Sequence, residues 1–589
     1  MSIRDVEVPV LIVGGGGCGL SSSIFLSNFG VPHLLIERHA GTSRLPKAHY
    51  LNQRTMEIYR QHGIADAIFE VGAPIDRMGQ IRWTTSLGGD GPLDRKEIHR
   101  MDAFGGYSLQ DRYQSASPVL ATNYPQLRLE PLLRREAEQR APGAVHYHHE
   151  LLDWEQTDSG IVATVQNRDD DETFTVRAQY LIAADGGKTI GPRLGVEMTG
   201  PRKMVDMVST HFTADLSDYW DDNTLINWFL NPEGENSWGA GAMVQMGPTW
   251  GRHSEEWVVH FAFRPDDPER FNEDAIVPRL RELLRLPDLD LQVHKVSHWI
   301  LDRIVADQWR FGGIFLAGDA AHRQPPTTGL GLNTGIQDAH NLTWKLAHVV
   351  SGSATDALLD SYEAERKPVS TDGADWALMA FGNHTVIDAG IGLVPGAPLE
   401  ANIAAFHALF ADGLLGRALR ARARETIDTQ RAEFQAHDVE MGFVYQEGAL
   451  VDDGSPAPAR SENGTIYTPT SRPGHRLPHA WLQRDDERVS THDVVDGDGA
   501  FALIAGPDGS AWVSAARAAA DKLGVVINVA QIGANYQDVE QRWAAVAEID
   551  SDGAILVRPD NHVAWRSRTG VDNAADALTN TLAAVLGRS

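Results

Sequence analysis

Residues 8–19 read VPVLIVGGGGCG, and this stretch decides the fold of the N-terminal part of the chain. The branched apolar run Val8 to Val13 predicts a buried β-strand, and the glycines after it predict a tight turn. Helical spacing follows from Cys18 to Phe29 and stops at Gly30, before a second apolar run from Val31 to Ile36. The pattern indicates a β-α-β unit.

The glycine turn of this unit predicts a dinucleotide site. Gly14, Gly16 and Gly19 have the GxGxxG spacing, and Glu37 ends the second strand. Glycines let the backbone approach a pyrophosphate at the positive end of the helix, and a carboxylate after the second strand accepts hydrogen bonds from a ribose diol. Strand, helix, second strand and acid agree, which favours dinucleotide binding over an ordinary glycine turn.

Two later strand ends carry an acid beside a glycine. Residues 181–187 read LIAADGG and contain Asp185-Gly186, and residues 314–322 read IFLAGDAAH and contain Gly318-Asp319. Carboxylates at such strand ends face ribityl or ribose hydroxyls. The loop PPTTGLGLNTG (325–335) then precedes a helix whose backbone N–H groups can meet an isoalloxazine carbonyl. The three segments together predict FAD.

Composition excludes several classes of protein. The net charge of -28 repels phosphate backbones and anionic membrane faces, so we expect neither nucleic acid nor a membrane as partner. The N-terminus has no basic start followed by an apolar core, and we expect a cytoplasmic protein. The single cysteine, Cys18, excludes a CxxC redox pair and a thiolate zinc cluster.

The rest of the chain predicts an inserted sheet, helices and a tail. Short alternating runs between Val208 and Phe263 predict a mostly antiparallel sheet. We expect helices over Asp338–Val350, over a segment closing at Tyr362 to Pro368, and from about 400 to 440. The composition from Asp452 to Gly474 predicts a linker or surface loop. In the tail, strands are predicted at Phe501–Ala505, Val525–Val529 and Ala554–Val557, and helices at Trp512–Leu523 and Asp572–Leu586.

These elements predict an α/β fold in four parts. Residues 1–195 and 300–395 are expected to form a discontinuous, Rossmann-like FAD-binding domain, into which a β-sheet substrate domain, 196–299, is inserted. A helical segment and linker, 396–474, precedes an α/β tail domain, 475–589.

The chain resembles the group A FAD-dependent aromatic monooxygenases, which have the p-hydroxybenzoate hydroxylase-like fold. Beyond the segments already quoted, the likeness rests on Pro325 to Ala347 and Ser361 to Pro368. The phenol hydroxylase and 2,4-dichlorophenol 6-monooxygenase branch is indicated by four further segments: PKAHYLNQRTMEI (46–58), NYPQLRLEPLL (123–133), AHDVEMGFVY (436–445) and SRPGHRLPHAWL (471–482).

The resemblance implies a set of cofactor residues. The adenosine half of FAD would be held by the glycine turn and the second strand end, with Arg54 and Gln126 meeting phosphate and ribose. Asp319 would bind ribityl, and Gly331, Leu332 and Asn333 would lie at the flavin ring. The full expected set is Gly14, Gly16, Gly17, Cys18, Gly19, Glu37, Arg38, Arg54, Gln126, Asp185, Gly186, Gly318, Asp319, Pro326, Gly329, Gly331, Leu332 and Asn333.

The resemblance also implies the chemistry. NADPH or NADH would reduce the flavin, oxygen would form a flavin hydroperoxide, and an activated phenol or chlorophenol would be hydroxylated, usually next to its hydroxyl. Alternatives that stay open are a polycyclic polyketide phenol as substrate, Baeyer–Villiger oxidation, and a flavin-binding scaffold without catalysis. No metal is expected.

His49 is the candidate base. In the related phenol hydroxylases an acid stands at the matching place, and a histidine with a pKa near 6.5 can accept a phenolic proton near neutrality. The alternative is a histidine bonded to backbone or to FAD phosphate. His322, by contrast, is expected to orient a loop.

The inserted sheet supplies candidates for an aromatic pocket. Trp228, Met243 and Pro325 are the expected substrate residues, and Phe229, Trp238 and Met246 belong to the same alternating runs. Ordinary core packing explains each sheet residue equally well.

Three remaining features have simpler interpretations. The HYHH segment (146–149) reads as a solvated strand face rather than a metal site. The acidic run 169–172 predicts a hairpin turn between Val162–Val165 and Thr173–Val176. The tail resembles the thioredoxin-like domain of this branch but contains no cysteine, so it is expected to stabilise the fold or contribute to a homodimer.

Overall fold

A computed structural model describes residues 5–233, 241–263 and 272–588. The first strand, Val6–Val13, lies inside an eight-stranded sheet, here called the cofactor sheet, and pairs in parallel with His33–Glu37 and Thr173–Ala183. Its apolar residues from 10 to 12 are fully buried, as expected for a parallel strand covered on both faces. The order of the central strands is Arg310–Phe311, Ile314–Leu316, Thr173–Ala183, Val6–Val13, His33–Glu37, Val145–Tyr147.

Two further strands extend the cofactor sheet as a meander. Gly160–Asn167 pairs antiparallel with both His149–Thr157 and Thr173–Ala183. The acidic run 169–172 connects two of these strands, so the predicted hairpin is confirmed. Carboxylates suit this solvated turn, where nothing has to be buried.

The second large sheet has seven strands and is called the substrate sheet. Its order is Leu291–Leu301, Val205–Ala214, Glu256–Phe263, Ala242–Gly247, Thr224–Phe229, Gln80–Thr84, Glu97–Asp102. Every neighbouring pair is antiparallel except Thr224–Phe229 with Gln80–Thr84. The last two strands come from the first 195 residues, so assigning 1–195 wholly to the FAD-binding domain was wrong. Sequence periodicity reports a strand but not the sheet that it joins.

Helices cover the cofactor sheet and join the two sheets. Gly17–Asn28 packs against Leu330–Val350 and Gln126–Arg140. Among the described residues, the other helices of five or more residues are Gln53–Gln61, Ala65–Phe69, Gln110–Ala116, Ile190–Leu194, Ile276–Leu284, Asp360–Asn383, Thr385–Ile391, Leu399–Phe410, Leu414–Ile427, His437–Met441, Ser510–Leu523, Arg542–Val546 and Ala574–Val585. None of the helices among the described residues is both long and apolar enough to cross a membrane.

The helix Asp360–Asn383 runs through Pro368 instead of closing there. A proline inside a helix removes one hydrogen bond and usually breaks the helix. Here Arg366, Ser370 and Ala374 are buried against the core, and this packing outweighs the local loss. The predicted helix end was therefore wrong.

The tail forms its own sheet with the order Ile527–Gln531, Phe501–Ala505, Ala554–Val557, Val563–Ser567. The first two strands are parallel and the others antiparallel. The segment from Asp452 to Gly474 has neither helix nor strand, as predicted.

Candidate active site

A large cavity connects the glycine turn of the cofactor sheet with one face of the substrate sheet. Its volume is about 1140 Å³. Residues 14–18 line one end, and Trp228, Ala242 and Val244 line the other. Because the cavity is continuous, a cofactor held at the turn and an aromatic ring held at the sheet can touch.

At Gly14 and Gly19 the glycine turn has room only for glycine. Gly14 has φ +115°, and a Cβ there would lie 2.2 Å from the Ala184 carbonyl oxygen. A Cβ at Gly19 would lie 1.9 Å from the Gly14 oxygen, whereas one at Gly16 would approach nothing closer than 3.5 Å. No side chain caps the helix Gly17–Asn28 at Gly16. Its first N–H groups are therefore available to an anion.

Gly17 and Cys18 hold the start of this helix against other cavity segments. A Cβ at Gly17 would lie 2.7 Å from Leu332 Cδ1, and one at Gly318 would lie 3.3 Å from Cys18 Cβ. Burial, together with Asp338 and Asp319, raises the pKa of the Cys18 thiol. The cysteine thus packs as a neutral side chain.

Glu37 lies in the cavity at the end of the second strand. Its Oε2 accepts a hydrogen bond from Gly15 N at 2.8 Å, and its Oε1 accepts one from His39 N at 2.9 Å. These bonds fix the carboxylate beside the glycine turn, where its remaining lone pairs suit hydroxyl donors.

The carboxylates of Asp185 and Asp319 have different surroundings. Asp185 accepts hydrogen bonds from Thr189 N at 2.7 Å and Ile190 N at 2.9 Å, so it caps the following short helix while its segment lines the cavity. Asp319 lies at the cavity on the turn Gly318–Ala320 and is exposed. Asp319 is therefore the more available acceptor.

A buried ion network supports the Gly318-Asp319 turn from behind. Asp338 Oδ2 accepts from Gly318 N at 3.1 Å and lies 2.7 Å from His322 Nε2, while Arg366 Nε donates to Oδ1 at 2.9 Å. Burial alone raises the pKa of Asp338, but His322 and Arg366 outweigh it and lower that pKa. This arrangement agrees with the expectation that His322 orients a loop.

Most of the proline- and glycine-rich loop lines the cavity, but Asn333 does not. The lining residues are Pro325, Pro326, Gly329, Gly331 and Leu332. The buried Asn333 side chain accepts from Asn52 N at 3.0 Å and donates to Tyr50 O at 2.9 Å. The Asn333 side chain therefore ties the loop to the segment before it, and the expected place of Asn333 at the flavin ring stays a prediction for its backbone.

His49 lines the middle of the cavity, beside Tyr50. Its Nδ1 lies 2.6 Å from Asn123 Oδ1, and the Asn123 amide nitrogen donates to Gln245 O at 3.4 Å. An amide oxygen only accepts, so His49 Nδ1 carries the proton and Nε2 carries the lone pair. Burial lowers the pKa of His49 and the bond to Asn123 opposes it. The ring is therefore neutral near pH 7.

Sequence reasoning missed His260, which lines the same cavity from the strand Glu256–Phe263. Burial, with His49 nearby, lowers its pKa to about 3. Its Nδ1 lies 2.8 Å from Ser209 Oγ. The signal in the sequence was a polar residue at a position where the strand alternation requires an inward-facing side chain.

The expected substrate residues divide between the two faces of the sheet. Trp228 and Pro325 line the cavity. Met243 packs on the opposite face, in the core cluster of Phe229 and Trp257, so its assignment to the pocket was wrong. Neighbouring strand residues face opposite ways, and the period alone does not say which set faces the ligand. Trp238 lies outside the described residues.

Arg54 is not at the cavity, contrary to expectation. It is buried beneath the C-terminal segment, where Nη1 donates to Glu57 Oε2 at 3.1 Å and Nη2 to the Asp560 carbonyl at 2.6 Å. The helix Gln53–Gln61 turns this side chain away from the glycine turn.

Other polar residues do line the cavity near the glycine turn. The expected Arg38 and Gln126 are among them, with Gln126 Nε2 2.5 Å from Glu130 Oε1. Arg44 and Lys47 also line it, and sequence reasoning missed both. Two cations between Glu37 and His49 were a usable signal, because a pyrophosphate needs positive charge nearby.

The histidines of HYHH have separate partners. His146 Nε2 lies 2.9 Å from Gly143 O, His148 Nδ1 lies 2.5 Å from Asp169 Oδ1, and His149 Nδ1 lies 2.8 Å from Tyr147 O. Within the described ranges no three His, Cys, Asp or Glu side chains come together as metal ligands would.

The cavity fits FAD. A Cβ at Gly331 would meet nothing within 4 Å, and one at Gly16 would meet only Glu130 Oε1 at 3.5 Å. The donors and acceptors are those a dinucleotide needs, with an uncapped helix start and two cations for the phosphates and carboxylates for the hydroxyls.

Comparison with known proteins gives the family. The chain matches the FAD binding domain model over residues 7–377 and the aromatic-ring hydroxylase C-terminal model over residues 470–589. It is 34% identical to 2,4-dichlorophenol 6-monooxygenase of Delftia acidovorans, over 99% of this chain and 98% of that protein. It is also 34% identical to phenol 2-monooxygenase of Pseudomonas sp. (strain EST1001), over 98% and 92% of the two chains.

Among solved structures, the flavin-dependent monooxygenase PieE in complex with FAD and substrate matches with a TM-score of 0.92. The two chains are 36% identical, and the match covers 100% of each. The chain therefore belongs to the FAD-dependent aromatic-ring monooxygenases, which use NAD(P)H and oxygen.

Proposed function

We propose that this monooxygenase hydroxylates a phenolic ring held between His49 and the substrate sheet. The observation that carries the proposal is the continuous cavity, which has FAD-binding features at one end and an apolar floor with a neutral histidine at the other. An apolar pocket with a few placed polar groups is the usual form of a small-molecule site.

FAD would lie along the length of this cavity. Gly14, Gly16 and Glu37 would hold its adenosine half, and Asp319, Gly331 and Leu332 would lie at the ribityl and ring. The flavin supplies the redox chemistry, by taking electrons from NAD(P)H and activating oxygen.

The chain's own task is to activate the phenol. The phenol O–H would donate to His49 Nε2, and transfer of that proton leaves a phenolate, which is a stronger nucleophile at the ring carbons. Asn123 supports this role, because its bond to Nδ1 keeps the lone pair on Nε2. The alternative of a bond from Nδ1 to backbone has no support, since Nδ1 bonds a side chain.

Apolar side chains would exclude water from the reacting groups. Phe104 and Phe434 line the cavity together with Ile226, Trp228 and Val244 of the substrate sheet, and all five belong to one apolar cluster. Exclusion of water by these side chains would favour transfer of oxygen to the ring over unproductive side reactions.

The names of two relatives support oxidation next to the hydroxyl. Position 6 of 2,4-dichlorophenol and position 2 of phenol both adjoin the hydroxyl carbon. We propose a phenol or chlorophenol as the substrate and a catechol as the product. A polycyclic phenol and Baeyer–Villiger oxidation are the outcomes to be distinguished.

A substrate panel tests this proposal. Oxidation of NADPH and of NADH by the FAD-loaded protein is measured with phenol, chlorophenols, polycyclic phenols and a cyclic ketone. The masses of the products are determined by mass spectrometry. Phenol-stimulated oxidation with one added oxygen beside the hydroxyl supports it. If only the polycyclic phenols or the ketone stimulate nicotinamide oxidation, the proposal is contradicted. If no phenol stimulates oxidation of either nicotinamide, a flavin-binding scaffold without catalysis is favoured.

We further propose a thioredoxin-like tail, a homodimer and a cytoplasmic location. A thioredoxin-like tail over 475–589 is supported by its strand order and by the mixture of parallel and antiparallel pairs. The homodimer is tested by sedimentation of the FAD-loaded protein, and the cytoplasmic location by cell fractionation.

A further inference from the structure

His260 stands on the cavity floor that the substrate sheet forms. In register, it pairs with Ala242 on one neighbouring strand and with Ser209 on the other. The residues on either side of it, Val259 and Phe261, face the opposite core cluster. The His260 ring is thus a polar group among the apolar side chains that line the floor.

A short hydrogen-bond chain sets the tautomer of His260. Trp299 Nε1 donates to Ser209 Oγ at 2.9 Å, and this oxygen lies 2.8 Å from His260 Nδ1. An indole nitrogen only donates, so the Ser209 oxygen accepts from it. In the described part of the chain His260 Nδ1 is the one acceptor within reach of the Ser209 hydroxyl proton, so Ser209 donates to Nδ1. The imidazole proton is then on Nε2.

The two histidines therefore present opposite groups to one cavity. His49 offers a lone pair at Nε2 and His260 offers an N–H at Nε2. Neither Nε2 has a hydrogen-bond partner among the residues that the structure describes. The low pKa of His260, caused by burial and by His49, keeps it neutral, so it remains a donor that does not release a proton to the base.

We propose that His260 donates a hydrogen bond from Nε2 to the phenolic oxygen of the substrate, while His49 accepts the proton of that hydroxyl. A ring hydroxyl is the group that satisfies both histidines, because it donates once and accepts at the same oxygen. When the proton moves to His49, the His260 bond becomes charge-assisted and stabilises the phenolate. Ser209 is a positioning residue, acting through His260. The inference rests on the proposed function.

The test measures ionisation of a bound phenol without turnover. 4-Nitrophenol is bound to the oxidised, FAD-loaded protein without nicotinamide, and phenolate absorbance is followed against pH. In the natural protein we expect the apparent pKa of the bound phenol to lie below its value in solution. His260→Leu should raise it by about one unit, a roughly tenfold loss of ionised phenol at a given pH.

Matched variants separate donation from packing. His260→Gln keeps an N–H donor and should restore most of the lowered pKa, and Ser209→Ala should give a rise smaller than that of His260→Leu. Met243→Leu, on the opposite face of the sheet, should leave it unchanged. An unchanged pKa in His260→Leu, with normal phenol-stimulated activity in the natural protein, overturns this inference alone. Failure of the natural protein to bind any phenol overturns the proposed function as well.

Discussion

The interface between the tail (475–589) and the FAD-binding domain differs from the active-site cavity in whether its polar side chains have partners. At the interface, Glu365 Oε2 accepts from Lys345 Nζ at 2.7 Å and its Oε1 accepts from Arg558 Nη1 at 2.7 Å. The same arginine pairs with Asp560. All four side chains are almost completely buried and all are paired.

The cavity shows the opposite arrangement. Asp319 has neither a hydrogen bond nor an ion pair in the described part of the chain, and the Nε2 atoms of His49 and His260 have no partner there. Asp319 is exposed and the two histidines are half-buried, and a polar group without a partner costs more free energy the further it is removed from water. The comparison teaches that paired charges hold the tail on the cofactor domain, while the partnerless groups are arranged for ligands.

The largest effect is expected at the interface. Glu365→Ala leaves Lys345 buried without an ion-pair partner and Arg558 with Asp560 alone, and it should lower the free energy of unfolding by about 3–5 kcal/mol. Urea unfolding at fixed FAD concentration measures it. Glu138→Ala, which breaks an exposed pair with Arg134, is the control and should change stability by less than about 1 kcal/mol. Equal losses of stability in the two variants would contradict the claim that the buried ion pairs hold the tail in place.

The next effect is expected at the base. His49→Ala should leave FAD bound but lower phenol-dependent hydroxylation by about 10²–10⁴-fold, because the phenol loses its proton acceptor. Coupled product formation per nicotinamide is the measurement. His49→Asp, which restores an acceptor, should be more active than His49→Ala. Full coupling in the alanine variant would exclude His49 as the base.

A smaller effect is expected at the ribityl contact. Asp319→Ala should weaken FAD binding by about ten- to a hundredfold, since a hydrogen bond to a charged group contributes about 1.5–3 kcal/mol. Fluorescence titration of the apoprotein with FAD measures the dissociation constant. Asp319→Asn, which keeps an acceptor oxygen, should lose less. Unchanged affinity in both variants would contradict the placement of the ribityl chain.

The broadest effect is a loss of stability in acid, which is shared among several buried histidines. Burial lowers the pKa of His475, His492 and His562 to about 4 and of His62 to about 3. Below about pH 6.5 these histidines become protonated in the unfolded chain but stay neutral in the folded protein. Their contribution to the free energy of unfolding is therefore complete above pH 6.5 and decreases as the pH falls toward 4. Burial raises the pKa of Glu440 to about 8, so this single group opposes the histidines over the same pH range.

Urea unfolding at pH 7.5, 6.0 and 5.0 checks this expectation. The midpoint should fall at each step below pH 6.5. A midpoint that is constant or rises as the pH falls would show that these histidines already have their ordinary pKa in the fold.

Local patterns predicted local structure well. The strand Val6–Val13 with its glycine turn, and the hairpin around Asp169, follow from neighbouring residues alone, and both are present. Pro368 shows the limit, because long-range packing decided whether the helix continued.

The candidate site was only partly predictable. The glycine fingerprint and Asp319 lie in segments whose local sequence pattern predicts cofactor binding. Met243 and Trp228, by contrast, are equally good candidates for the pocket until it is known which face of the sheet lines the cavity. Arg54 and His260 depend on contacts with residues far away in the chain, at Asp560 and Ser209. No periodicity encodes such contacts.

The central claim is that oxygen is inserted beside a phenolic hydroxyl held at His49. The most direct test is turnover of the preferred phenol under ¹⁸O₂, with NADPH, followed by mass and ring-position analysis of the product. The account predicts a catechol that carries one ¹⁸O atom, and almost no catechol from His49→Ala. A product without ¹⁸O, or equal labelled catechol from both proteins, would contradict it.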